Sequence, residues 1–315
     1  MASARIGRSR IAREVPIESF RHQVPWTILR PIVFDLRDRS RTGLGRVARE
    51  TVRAYGALFP DDRIAVLEKG GQRYSVRAQL EWPWLRRLHP DAIWVWFHWD
   101  VPWLGVPARS VVYVHDLIHY SDPNPVKRWV AKRWIAHALR GAGRVVTVSR
   151  ATATRLPREA TVIPNGVLAD FCGEWKPADY MLVVGEDRPH KNIGMVAKLG
   201  VPWKRAQGAN DAELNALYAG ARAVLVPSRE EGFGLPVLEA FAHGVPVVAS
   251  DIPALREASG GLATLVPVDD VEAWRRAVRQ VWDAPADAVA RRVWAAQFTW
   301  ERSARALRGV LEELS

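Results

Sequence analysis

The stretch SREEGFGLPVLEAFAHG, Ser228 to Gly244, decides how the chain is read, because it follows an uninterrupted apolar run from Ala223 to Pro227. The run reads as a buried strand, and a loop with Gly232 and Gly234 comes next. Pro236 then opens a helix that stops at Gly244. Proline fits the first helical turn, where its missing N–H would have no partner, and glycine fits the left-handed position past a helix end. Such a helix aims free N–H groups and a partial positive charge at the loop Gly232 to Leu235, which suits an anion, phosphate above all. Glu231 and Glu239 flank that loop. Carboxylates accept hydrogen bonds from hydroxyls and repel a phosphate set directly against them.

Outward from this stretch, strand and helix patterns alternate along the chain. Upstream, strands are expected at Ile32 to Asp35, Arg63 to Leu67, Ala92 to Phe97, Ser110 to Val114, Arg144 to Ser149 and Thr161 to Pro164. A polar loop, Leu36 to Gly45, precedes a helix from Arg46 to Leu58, and a tryptophan-rich connection leads from residue 67 to residue 92. A second domain opens with the buried run Tyr180 to Gly185 and resumes after residue 244 with Val245 to Ala249 and Ala263 to Val266. This alternation implies parallel sheets, whose ligands collect at the carboxyl ends of strands. His115 and Asp116 stand at such an end, and so do Arg188, His190 and Lys191 after the run at 180–185. The expected organisation is a basic arm at 1–27, one domain at 28–168 and another at 169–315, with a terminal helix packing back on the first.

With 315 residues, 48% of them apolar, the chain can bury the cores of two domains. Its single cysteine, Cys172, excludes an internal disulfide framework and is read as inert. No apolar run is long enough to span a membrane, and the arginine-studded start lacks the apolar core of a secretory signal, so a cytoplasmic protein is expected. The net charge of +11 suits phosphate-rich ligands or an anionic membrane, and no nucleic-acid motif accompanies it, so nucleic acid is not an expected partner. The segment Val126 to Arg144 sets Trp129, Val130, Trp134, Ile135, Ala138 and Leu139 against Lys127, Arg128, Lys132, Arg133 and Arg140. Most helices of that pattern cover a sheet with one face; the alternative is one that docks at the inner membrane face.

Glu231 and Glu239, with seven residues between them that include Gly232, Phe233, Gly234, Leu235 and Pro236, resemble the signature of the retaining glycosyltransferases of family 4, a mannosyltransferase-like group with the GT-B fold. The loop around Gly43 and Gly45 resembles that family's Gly-x-Gly-Arg turn, and His115, Asp116 and Leu117 its His-Asp-Leu. Pro189, His190, Lys191 and Asn192 resemble its phosphate-binding stretch. The resemblance implies two Rossmann-like parallel-sheet α/β domains facing a cleft. It also implies that Glu231 grips donor-sugar hydroxyls, that Glu239 grips the ribose, and that His115 lies close to the reacting sugar. The loops at Gly43 to Gly45 and Gly232 to Leu235, with Lys191 and one of Arg188 or His190, would hold the diphosphate. After Asn192 the pattern departs from the family: about twenty residues stand where members insert further strands and helices, so at least one strand–helix unit is expected to be missing and the second domain shortened.

The implied activity is transfer of a sugar, with retention, from a nucleotide-diphosphate sugar to a hydroxyl of a glycan or lipid-linked acceptor. No cofactor and no metal are expected; Asp35, Asp38, Asp269 and Asp270 read as loop carboxylates. The rival readings are a sugar-nucleotide epimerase of the same fold and a catalytically inactive sugar-nucleotide or glycan-binding protein.

Overall fold

The computed structural model describes residue 28 and residues 30–37, 43–168, 171, 174–283 and 288–315. The expected basic arm at 1–27, Asp38 and Cys172 lie outside the described residues. The first sheet consists of β1 (Ile32–Asp35), β2 (Ile64–Leu67), β3 (Ile93–Trp96), β4 (Ser110–Val114), β5 (Arg144–Thr147) and β6 (Thr161–Val162), all parallel, in the order β2-β1-β3-β4-β5-β6. The second sheet consists of β7 (Met181–Val184), β8 (Trp203–Ala206), β9 (Ala223–Val226), β10 (Val247–Ser250) and β11 (Thr264–Val266), also parallel, in the order β11-β10-β9-β7-β8. Strands buried on both faces read as continuous apolar runs, which is why β3, β4, β9 and β10 were legible.

Between the strands run α1 (Gly43–Leu58), α2 (Val76–Leu88), α3 (Pro125–Gly141), α4 (Arg150–Ala153), α5 (Gly194–Ala197), α6 (Asp211–Gly220), α7 (Leu235–Ala242), α8 (Pro253–Ser259), α9 (Val271–Asp283), α10 (Ala288–Ala295) and α11 (Trp300–Glu312). Three of these correct the sequence reading. The helix expected from Arg46 begins at Gly43, so both glycines of the expected loop form the first turn of α1. The tryptophan-rich connection contains α2, hidden because Pro83 interrupts the pattern and because apolar residues occupy both of its sides: Trp82 and Leu85 inward, Val76, Leu80, Trp84 and Leu88 outward. In α3 the buried residues are Ala131, Ile135, Ala138 and Leu139, whereas Trp129 and Val130, expected on the inner side, are 62% and 42% exposed.

The segment after Asn192, where a strand–helix unit was expected to be missing, holds the one-turn α5 and the edge strand β8, whose Trp203, Lys204 and Arg205 are exposed. That exposure removed the apolar signature by which a strand is read, and β8 went unforeseen.

α11 belongs to the first sheet's core. Ala304, Leu307, Val310 and Leu311 are buried with Phe34, Tyr55 and Val95, and Ser303 Oγ donates to the Pro164 carbonyl at 2.6 Å. The approach is close enough that a Cβ on Gly166 would sit 2.3 Å from the Trp300 nitrogen. Leu307→Ala is therefore expected to cost about 2–5 kcal/mol in urea unfolding, as for a leucine removed from a packed core. A cost below about 1 kcal/mol would show that α11 does not complete the first core.

Candidate active site

The second sheet reverses its strand order between β7 and β9, so the segments leaving those strands lie side by side at the carboxyl edge. The β7 segment passes Gly185, held at φ 122°, and turns through Pro189–Lys191 to Asn192 in the left-handed region at φ 51°. The β9 segment is Ser228 to Gly234, and Gly234, at φ 106°, caps α7. An L-side chain rarely adopts that φ, and a Cβ at Gly234 would also lie 2.9 Å from Leu255 Cδ2, so glycine is required where α7 begins.

These two segments bring Lys191 and Glu231 together: Lys191 Nζ donates to Glu231 Oε1 at 2.7 Å, and Ser228 Oγ donates to the same oxygen at 2.7 Å. The Glu231 side chain is only 9% exposed. Burial alone would raise its carboxyl, but the Lys191 ammonium and the Ser228 hydroxyl hold it below the usual carboxylate range, so it is ionised at neutral pH. Arg188 points elsewhere, paired with Glu186 at 2.6 Å. His190 lies half-buried in the turn, and burial with the Lys191 charge lowers its pKa.

Glu239 lies deeper, one turn into α7. Arg46 Nη1, reaching over from α1, donates to its Oε1 at 3.0 Å, and Tyr218 donates to its Oε2 at 2.6 Å. Arg46 also pairs with Asp211 at the start of α6. Burial raises the Glu239 carboxyl, against the pull of Arg46. No role was expected for Arg46, Tyr218 or Ser228; Arg46 is the arginine of the Gly-x-Gly-Arg turn, Ser228 opens the stretch that carries Glu231, and Tyr218 has no local signal. Of the two expected glycines, Gly45 is buried and Gly43 has nothing near its Cβ position, one turn from Arg46.

The first domain meets this site at the end of β4. A Cβ on Gly232 would stand 2.2 Å from the His115 carbonyl oxygen and 3.0 Å from Asp116 Cβ, so the second domain's loop approaches through a glycine. Ser149 Oγ donates to the Gly232 carbonyl at 2.6 Å, and Phe233 packs with Val148 and Leu238. Leu235 is partly buried against the first core. Asp116 Oδ1 accepts from the Ile118 N–H at 3.0 Å, and burial raises that carboxyl. His115 is 5% exposed, with Nε2 2.9 Å from the Phe97 carbonyl. A carbonyl can only accept, so Nε2 carries the proton and Nδ1 is left as an acceptor. Among the described residues no group of three His, Cys, Asp or Glu side chains is placed to hold a metal.

Burial pushes the His115 imidazole down from 6.5 to about 4. The folded protein thus binds its proton later than the unfolded chain, so between pH 6.5 and about 4 unfolding takes up protons and stability falls as pH falls. The window corresponds to about 3 kcal/mol. His115→Gln should flatten the dependence of the denaturation midpoint on pH between 7 and 4.5; a profile as steep as the wild type's would exclude His115 as its source.

Two parallel-sheet domains whose switch point and strand ends meet across a cleft define the GT-B class, and solved structures agree. The fold is similar to sucrose-phosphate synthase from Thermosynechococcus elongatus (TM-score 0.67, 18% identity, 90% of this chain and 99% of that one). It is also similar to WaaG, a glycosyltransferase involved in lipopolysaccharide biosynthesis (TM-score 0.62, 14% identity, 90% and 99%). In sequence, the family model for Glycosyl transferases group 1 matches residues 172–284. The O-antigen chain mannosyltransferase RfbU of Salmonella typhimurium strain LT2 is 28% identical over 235 residues, 62% of this chain and 65% of that relative's length. The match to the group 1 glycosyltransferases therefore lies in the second domain, and the likeness to RfbU covers less than two thirds of either chain.

Proposed function

We propose that this chain transfers a sugar, with retention, from a nucleotide-diphosphate sugar to an acceptor hydroxyl in glycan synthesis, RfbU being the mannosyltransferase it resembles in sequence. The observation that carries the reading is the Lys191–Glu231 pair, set beside α7's positive end and across from His115. Both buried glutamates of the site are held by a cation, Glu231 by Lys191 and Glu239 by Arg46. A donor diphosphate competes for those cations. When Lys191 and Arg46 turn to the phosphates, Glu231 is freed to accept from sugar hydroxyls and Glu239 from the ribose. His115 offers Nδ1 as a further acceptor, and being neutral it adds no charge beside the reacting carbon.

In the reaction, the bond from the anomeric carbon to the diphosphate oxygen breaks as the acceptor oxygen bonds to the same face. The departing oxygen takes the acceptor's proton, so no enzymic nucleophile is required. Lys191, Arg46 and the N–H groups opening α7 stabilise the charge that gathers on the leaving group, an arrangement that works without a metal. Lys191→Ala, assayed as folded protein in EDTA with saturating donor, should lose about 10²–10³ of the wild-type rate. Near-normal turnover of the variant would remove Lys191 from this role, and a wild type silent in EDTA but active with magnesium or manganese would remove the metal-free scheme.

The acceptor is proposed to be lipid-linked, met at an anionic membrane face. The segment 126–144 supports this in part: Val126, Trp129 and Val130 are exposed beside Lys127, Lys132 and Arg133, while Trp134 turns inward and donates from Nε1 to the Val101 carbonyl. The apolar surface extends past Trp103 and Leu104 to the α2 stripe Val76, Leu80, Trp84 and Leu88, with Arg77, Arg86 and Arg87 exposed along it. Exposed aromatics for the headgroup boundary, flanked by cations each adding about 1 kcal/mol near anionic lipid, fit a bilayer better than a protein partner. Among the described residues no helix is long and apolar enough to cross a membrane. Co-sedimentation with vesicles should require anionic lipid, fall with salt, and weaken in the Trp84→Ser, Trp129→Ser double variant; recovery independent of lipid charge would exclude this docking.

A further inference from the structure

Glu231 has two donors, and they differ in what holds them. Lys191 Nζ and Ser228 Oγ both lie 2.7 Å from Oε1, while among the described residues no donor meets Oε2. The lysine side chain is 22% exposed, and among the described residues its ammonium has no other hydrogen-bond partner. Ser228 is 1% exposed, stands just past β9, and has a single proton to donate, which goes to this carboxylate. One donor can swing out on a flexible stem, and the other is fixed in the fold.

A diphosphate that takes Lys191 leaves the Glu231 side chain, 9% exposed, without its cation. Burial is the largest influence on that carboxyl and acts to raise it. The remaining groups around it divide. His190, in the turn at 189–191, favours the charged form, whereas Asp116, past the end of β4, is an acid that repels it. Glu230 is paired with Arg155 at 2.6 Å, and His115 is neutral above about 4. With Lys191 gone, the hydroxyl of Ser228 is the hydrogen bond that still favours the carboxylate.

We propose, on the basis of the transferase reading above, that Ser228 is the positioning residue of Glu231: its hydroxyl keeps the carboxylate charged, with Oε2 left for the donor sugar, after Lys191 has gone over to the diphosphate. A serine suits this task because it is neutral and already committed to Oε1, so a phosphate does not draw it away as it draws an ammonium. The consequence is a count of protons. Without Ser228, Glu231 gives up Lys191 only by taking up a proton, and a complex that takes up a proton weakens as pH rises. With Ser228 in place no proton is needed.

The test is calorimetry on the whole chain with UDP, GDP and ADP in turn, in pairs of buffers that differ in ionisation enthalpy, from about pH 5.5 to about 8. It reads affinity and protons together, and the nucleotide's own titration cancels in the ratio of variant to wild type. Ser228→Ala should bind progressively more weakly than wild type as pH rises, by up to about tenfold per pH unit for one proton, and should take up a proton that wild type does not. Ser228→Thr, which keeps the hydroxyl, should follow wild type. Ser228→Ala combined with Glu231→Gln should lose the added slope, because the amide has nothing to titrate. Should Ser228→Ala fail to fold, Ser228→Cys, a weaker donor of similar size, must show the same slope in reduced form. An affinity ratio constant over this range makes Ser228 a packing residue and overturns the role, as does an added slope that survives Glu231→Gln. A wild type that binds none of the three nucleotides overturns the transferase reading, and this role with it.

Discussion

The contact on which the site depends is Gly232 against the carbonyl of His115. It joins the loop after β9 to the strand end of β4, and there is no room in it for even a methyl group. Around it, Ser149 Oγ bonds to the Gly232 carbonyl, and Glu257 accepts from the N–H groups of Arg150 and Ala151 at 2.8 and 3.0 Å. The N-terminal turn of α4 is thereby satisfied by a carboxylate from the other domain, which is also where a negative charge is most favourable. The domains meet through main-chain groups and caps, with Phe233 and Leu238 as the apolar centre beside Val148. His115 owes its position near Glu231 to this contact and to the Phe97 carbonyl, not to any direct bond with the second domain's charges.

Burying carboxylates at such a junction is costly unless each is paired, and the two glutamates are paired differently. Glu231 has Lys191 and Ser228 on one oxygen and stays ionised despite burial. Glu239 spreads its bonds over both oxygens, one to Arg46 and one to Tyr218, and burial still dominates. Lysine is a flexible point charge that can follow a phosphate, whereas the arginine fork is tied at once to Glu239 and Asp211, which lie on different helices. The Arg46 link spans the domains, and the ribose proposed for Glu239 would compete with it for the same carboxylate.

Much of this was legible in the chain because the site is built from local pieces with strong backbone requirements. Gly234 at positive φ, the helix opening at Leu235 and Pro236, and the strand before them leave a readable trace. Buried parallel strands announce themselves as apolar runs, and both sheets were found that way except at β8, an edge strand with an exposed face. The sequence was silent where meaning arises between distant residues. Nothing near Arg46 tells of Glu239, 193 positions away. α3 misled because Trp129, Val130 and Trp134 share a helical spacing with the residues that do pack, and periodicity alone cannot tell a buried tryptophan from an exposed one. The helix α2 was lost to Pro83, since a proline within a pattern usually marks its end.

The brevity of the segment between Asn192 and α6 is compatible with a whole site for a topological reason. The order β11-β10-β9-β7-β8 places β8 at the edge, beyond β7, and the abbreviated segment α5–β8 occupies that edge. The residues around Lys191, Glu231 and Glu239 leave from β7 and β9, the central pair, and from α7, which packs on β9 and β10. Removing a strand–helix unit from the flank therefore leaves the switch point and its two loops in place. What the abbreviation alters is the surface beside β7, where Lys204 lies 4.0 Å over the Tyr180 ring and Arg205 pairs with Asp187 at 3.5 Å. The abbreviated segment thus falls on the wall of the second domain, outside the pair of strands that carries the charges.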